Sequence, residues 1–166
     1  MEEKTMRPSQ WAMNSGAVIG LVMVAITYVV INLNQPLELA MFIITYPVFI
    51  PGIFFSQRLY RHRILQNGHY RYDQALRIGG LVSLFTAIII GFFFYAYCTY
   101  DQAMMKRLVD LMWEVNAKNS IAMNLGEEAK QSITPFTIGI SMLFSFSVIG
   151  LMISFITSFF VKRTEA

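Results

Sequence analysis

Four apolar stretches, each close to the length of a bilayer crossing, take up most of this 166-residue chain. They run approximately Met13–Leu33, Leu37–Phe55, Leu81–Tyr100 and Phe136–Val161. A spanning helix needs about 20 mostly apolar residues, and a backbone inside lipid must satisfy its own polar groups. The stretches therefore predict an all-α integral membrane protein, a four-transmembrane-helix bundle. A soluble all-α protein would carry a polar stripe at helical spacing. The runs Ala87–Phe94 and Val148–Phe155 have none of the required width. Four spans leave little chain for anything else, so residues 1–166 read as a single membrane domain. The first stretch does not read as a cleaved signal, because no small-residue cleavage pattern follows it and a second stretch begins almost at once. Cys98 is the only cysteine, which excludes an intramolecular disulfide.

Basic residues set the expected orientation. Of the 13, nine fall in the segment before the first span (Lys4, Arg7), the connection Ser56–Gly80 (Arg58, Arg61, Arg63, Arg71, Arg77) and the tail (Lys162, Arg163). The turn Asn32–Pro36 holds none, and Asp101–Pro135 offsets its four with Asp101, Asp110, Glu114, Glu127 and Glu128. Lys and Arg accumulate on the cytoplasmic side, so both termini and the Arg-rich connection are expected inside.

Local signals refine the picture. Asn32, Asn34, Gln35 and Pro36 form a tight turn that makes the first two spans an antiparallel hairpin. Pro47 and Pro51 predict a kink in the second span. In the inner connection, Arg58, Arg61, Arg63 and Arg71 alternate with Tyr60, Tyr70 and Tyr72. This basic and aromatic band is either a topogenic signal with interfacial tyrosines or a docking surface for anionic lipid head groups or a polyprenyl phosphate. Asn67-Gly68 reads as a turn, after which Asp73 is placed to cap a helix running into the third span. Small residues recur every four positions at Gly79, Ser83, Ala87 and Gly91, again at Gly150, Ser154 and Ser158, and at Gly16 and Gly20. Such stripes let helices approach closely in lipid, within the bundle or in self-association. Between the third and fourth spans, Met104, Leu108, Leu111, Met112 and Val115 share one helical face. They predict an amphipathic extracytoplasmic helical segment over about 101–135, with a second short helix at Glu127–Ile133. This segment lies on the outer surface with Trp113 near the head groups, caps the bundle, or extends the third helix beyond the lipid.

The chemistry-bearing residues are sparse. No ionisable residue stands near the middle of a span, where one would mark a pump or a membrane enzyme. His62 and His69 stand alone in the basic connection, without the clustered ligands a metal needs. The expectation is a chain that is not an enzyme, with no cofactor and no metal, whose partners are membrane lipids rather than nucleic acid. The leading functional reading is a scaffold or accessory subunit that packs against another envelope component, an envelope-biogenesis membrane protein, or against itself. The alternative is a small oligomeric channel or carrier, with Thr45, Ser83, Thr86, Ser145 and Ser147 lining a path beside the Pro47–Pro51 kink.

The order of features resembles the bacterial domain-of-unknown-function family 4199, small four-span membrane proteins found largely in the Bacteroidetes group. The resemblance is carried by the opening span NSGAVIGLVM, then by Gly68, Tyr70, Tyr72, Gln74, Ala75, Leu76 and Gly79. It continues through Thr134-Pro135 to the closing Lys162-Arg163. The block GHYRYDQALRIGG is its most specific part, and the Pro47 and Pro51 pair departs from it. It implies the four-span topology and a bacterial inner-membrane location, and it implies no activity and no functional residues.

Overall fold

The structure, a computed structural model, describes residues 7–33, 43–63, 70–118 and 133–161, with side chains in 111–118 left aside. Nearly all of these residues are helical. Helix α1 spans Pro8–Asn32; a π-helical segment, Ile44–Phe49, leads into α2, Ile50–Arg63; α3 spans Tyr72–Tyr100, α4 Gln102–Lys118 and α5 Pro135–Val161. Three of them, α1, α3 and α5, are long and apolar enough to cross a membrane, which is consistent with a multi-pass membrane protein.

The helix ends follow from local chemistry. Pro8 and Pro135 occupy first-turn positions, where the missing N–H costs nothing. The Thr134 hydroxyl accepts from Thr137 N–H at 3.2 Å and so caps α5. Asp101 alone separates α3 from α4. Its carboxylate accepts from the N–H groups of Ala103 at 3.0 Å and Met104 at 3.1 Å, an N-cap that starts the amphipathic helix at Gln102. Asp73 does not take the capping position expected of it. Helix α3 begins one residue earlier, at Tyr72, so Asp73 lies in the first turn. Gln74 reaches back instead, its Oε1 accepting from Arg71 N–H at 3.3 Å. The first-turn carboxylate still opposes the positive end of the helix dipole.

The predicted kink takes the form of a change of helix type. Pro47 lies inside the π-helical segment, and Ile50 N–H bonds to the carbonyl of Thr45, five residues back. The wider turn relieves the clash a proline ring makes with the preceding turn. The regular helix resumes with Pro51 in its first turn and runs on to Arg63, past the expected end of the second span at Phe55. Residues 37–42 of that span lie outside the described residues. So do the turn after Leu33, Asn67-Gly68 and the short helix expected from Glu127, apart from Ile133, which is not helical.

The chain divides into two compact units, Met1–Ile90 with Leu143–Ala166, and Gly91–Met142. In the first, α1, α2 and the adjoining parts of α3 and α5 pack through small residues. A methyl group added to Gly16 would stand 2.7 Å from Phe85 Cβ and 2.8 Å from the Val82 carbonyl, so only glycine admits α1 this close to α3. Thr86 fastens that contact by donating to the Gly16 carbonyl at 3.1 Å and to its own helix at Val82, 2.9 Å away. In the second unit Met104, Leu108 and Val109 of α4 are buried, together with Phe94 and Cys98 of α3 and Ile138 of α5. There Tyr95 stacks edge-on against Phe136 with centroids 6.4 Å apart.

Candidate functional site

Among the described residues of the first unit, a buried polar cluster lies where the last two turns of α2 meet the start of α3 and the end of α5. Gln57 is its centre. Ile53, Gln57 and Tyr60 fall on one helical face, and all three are buried. The Gln57 side chain is fully enclosed, and its Nε2 donates to the Ala75 carbonyl of α3 at 3.0 Å and to Ser158 Oγ of α5 at 3.2 Å. One amide thus ties three helices. Ser158 in turn donates to the Ser154 carbonyl at 2.6 Å. In a low-dielectric interior such a network is costly to break, because each orphaned group forfeits about 1–3 kcal/mol.

Arg61 closes the cluster at one end. Its Nη1 donates to the carbonyl of Val161 at 2.9 Å, the last residue of α5, where the helix leaves its carbonyls unpaired and favours a cation. Aromatic rings close another side. Trp11 of α1 donates from Nε1 to the Ser56 carbonyl at 3.2 Å, its ring lies 6.0 Å from that of Tyr60, and Tyr60 lies 6.1 Å from Tyr70. Burial holds the phenols of Tyr60 and Tyr70 above their ordinary value. For Tyr70, nearby Tyr60 adds to the rise and Arg61 pulls the other way. Both therefore remain neutral hydroxyls at physiological pH. Among the described residues, several buried polar atoms here find no hydrogen-bond partner: Ser56 Oγ, Gln57 Oε1, Arg61 Nε, Tyr70 Oη and Ser154 Oγ. Among the described residues no group of three His, Cys, Asp or Glu is placed to hold a metal ion.

The basic and aromatic band predicted for this connection divides. Arg58 and Arg63 are exposed on α2, whereas Arg61 turns inward to α5. Arg71 pairs with Asp73 at 3.2 Å, both largely exposed, a contact that solvent screening leaves with little net stability. Tyr60 and Tyr70 are buried rather than interfacial. Tyr72 stacks on Phe159 at 4.7 Å and donates to the Phe155 carbonyl at 3.3 Å. The four arginines do not form one continuous patch because Arg61 and Arg63, two positions apart, leave opposite sides of α2, and Arg71 lies beyond its end.

The small residues fall on helix contacts within each unit. A methyl at Gly79 would collide with Gln57 Nε2 and lie 2.9 Å from Ser154 Cβ, and one at Gly150 would collide with Ser83 and lie 2.8 Å from Phe49 Cζ. Ala87, Ser154 and Ser158 are fully buried and Ser83 nearly so. In the second unit the Gly91 carbonyl lies 2.9 Å from where a Gly139 methyl would stand. Sequence reasoning passed over Gln57, Ser56, Trp11 and the bridging role of Thr86. The signal for Gln57 was present: a polar residue between Ile53 and Tyr60 on an otherwise apolar stripe.

A family model described as "Protein of unknown function (DUF4199)" matches residues 14–163, and the chain belongs to that family. No curated protein and no solved structure matches it.

Proposed function

We propose that this family member is a non-enzymatic inner-membrane protein that crosses the bilayer four times, with both termini cytoplasmic, and acts as a scaffold or accessory subunit for another envelope component. The second crossing is assigned to the segment that ends in α2. The orientation rests on the arginines of α2 and the start of α3, set against the acid-balanced connection that includes α4.

The observation that carries the scaffold reading is the outward face of α5. Of the three long helices α5 is the least buried. Phe144, Leu151, Met152 and Phe155 present a large apolar surface along it, with Met152 65% exposed. The small residues of α5 are spent on contacts within the chain, whereas these large, partly flexible side chains suit a lipid or protein surface that must adapt to them. A photo-crosslinking residue at Met152, activated in intact membranes, should yield a discrete protein adduct. Adducts with lipid alone, together with recovery of the chain by itself in mild detergent, would retire the scaffold reading.

The channel or carrier reading has one feature in its favour, the π-helical turn at Pro47, since such turns often mark functional positions. Against it, the hydroxyls of Ser83 and Thr86 are bonded to carbonyls of their own helix.

A further inference from the structure

We infer that the groove between α1 and α2 binds one anionic phospholipid, its acyl chain along the groove and its phosphate between Arg7 and Arg63. The groove has a volume of about 390 Å³ and is lined by Trp11, Ser15 and Ile19 of α1 and by Gly52, Phe55 and Ser56 of α2. It follows the two helices for roughly 12 Å, the rise from Trp11 to Ile19. The lining is mostly apolar carbon, the surface an acyl chain takes up.

The two ends of the groove differ. At one end Ile19 closes on Gly52, where a methyl group would stand 3.0 Å from Ile19 Cδ1. At the other, Trp11 donates to the Ser56 carbonyl and stacks edge-on with Tyr60. The helices therefore run antiparallel, and their charged ends coincide. Arg7 is the N-cap of α1, one turn before Trp11. Arg63 ends α2 seven residues beyond Ser56, on the same helical face as Gly52, Ser56 and Leu59. Both arginines are exposed, and among the described residues no carboxylate lines the groove. An apolar slot that runs toward two exposed arginines, one at the N-terminal end of α1 and one at the C-terminal end of α2, suits a phosphodiester on a hydrocarbon tail. Arg58 projects from a different face of α2 and is not part of this mouth.

The inference rests on the membrane reading above but not on the scaffold role. It is tested with Trp113→Phe protein in vesicles, where Trp11 is the remaining tryptophan of the two. Its fluorescence is quenched with acyl-brominated phosphatidylglycerol or phosphatidylcholine mixed into unlabelled phosphatidylcholine. Phosphatidylglycerol should quench at lower mole fraction, by roughly fivefold for each arginine engaged. Arg7→Gln with Arg63→Gln should erase that preference while leaving phosphatidylcholine quenching intact, and Arg58→Gln should preserve it. Millimolar inorganic phosphate should not compete, since the tail supplies much of the binding. Equal quenching by the two lipids in the unsubstituted groove, or a preference that survives the double substitution or is lost equally with Arg58→Gln, would overturn the lipid site. Competition by free phosphate would assign the arginines to a soluble anion instead. Absence of quenching by either lipid would refute membrane insertion itself.

Discussion

Gly79 and Gly80 are neighbours in sequence with opposite surroundings. A methyl on Gly79 meets the buried Gln57 amide and the Cβ of Ser154, both held in place, whereas one on Gly80 meets only the mobile tip of Leu151 at 3.2 Å. Alanine favours a helix over glycine by about 1 kcal/mol, so Gly80→Ala should leave the melting temperature of the detergent-solubilised protein unchanged or raise it. Gly79→Ala should lower it, by an overpacking cost of about 1–3 kcal/mol. Equal behaviour of the two variants in a thermal melt would refute the three-helix junction at Gln57. The four-residue stripe in the sequence includes Gly79 and not Gly80, because spacing alone reports which face is small. Spacing does not report what stands opposite, and Gln57 lies in a different helix, 22 positions away in the chain.

At the scale of elements, apolar length is legible and helix ends less so. The stretches starting near Met13, Leu81 and Phe136 correspond to α1, α3 and α5, but α1 and α3 start earlier, at Pro8 and Tyr72. Polar residues such as Gln10 and Asp73 do not break a helix; they only end the apolar part of it. The amphipathic pattern after the third span became α4, and Asp101 supplied the cap that separates it from α3. The alternation of tyrosine and arginine predicts a surface band, because both residue types usually sit at an interface. Burial of Tyr60 and Tyr70 comes from packing against Trp11 and each other, which no local pattern encodes. The paired prolines announced an interruption, and the structure gives it as a π-helical turn at Pro47. If that turn is a static accommodation of the ring, proteoliposomes should pass no more ions or small solutes than empty vesicles. Flux that Pro47→Ala suppresses would instead make the turn a working part of a pathway.

For the whole molecule, the distribution of apolar surface supports a bilayer as the surrounding medium. Large apolar side chains of α1, α3 and α5 face outward, among them Val18, Phe92 and Phe160, while Thr27, Gln57, Thr86 and Ser158 are turned inward. In the proposed topology α3 crosses a membrane with the arginines near its start, Arg71 and Arg77, in the cytoplasm. Its most direct test places single cysteines at Arg58 and Lys106, both exposed, in a Cys98→Ser background. Intact cells are treated with a membrane-impermeant maleimide before and after permeabilisation. The account predicts labelling at position 106 from outside and protection at position 58 until the membrane is opened. Labelling of 58 with protection of 106 would reverse the orientation, and equal behaviour of the two positions in intact cells would contradict a crossing between them.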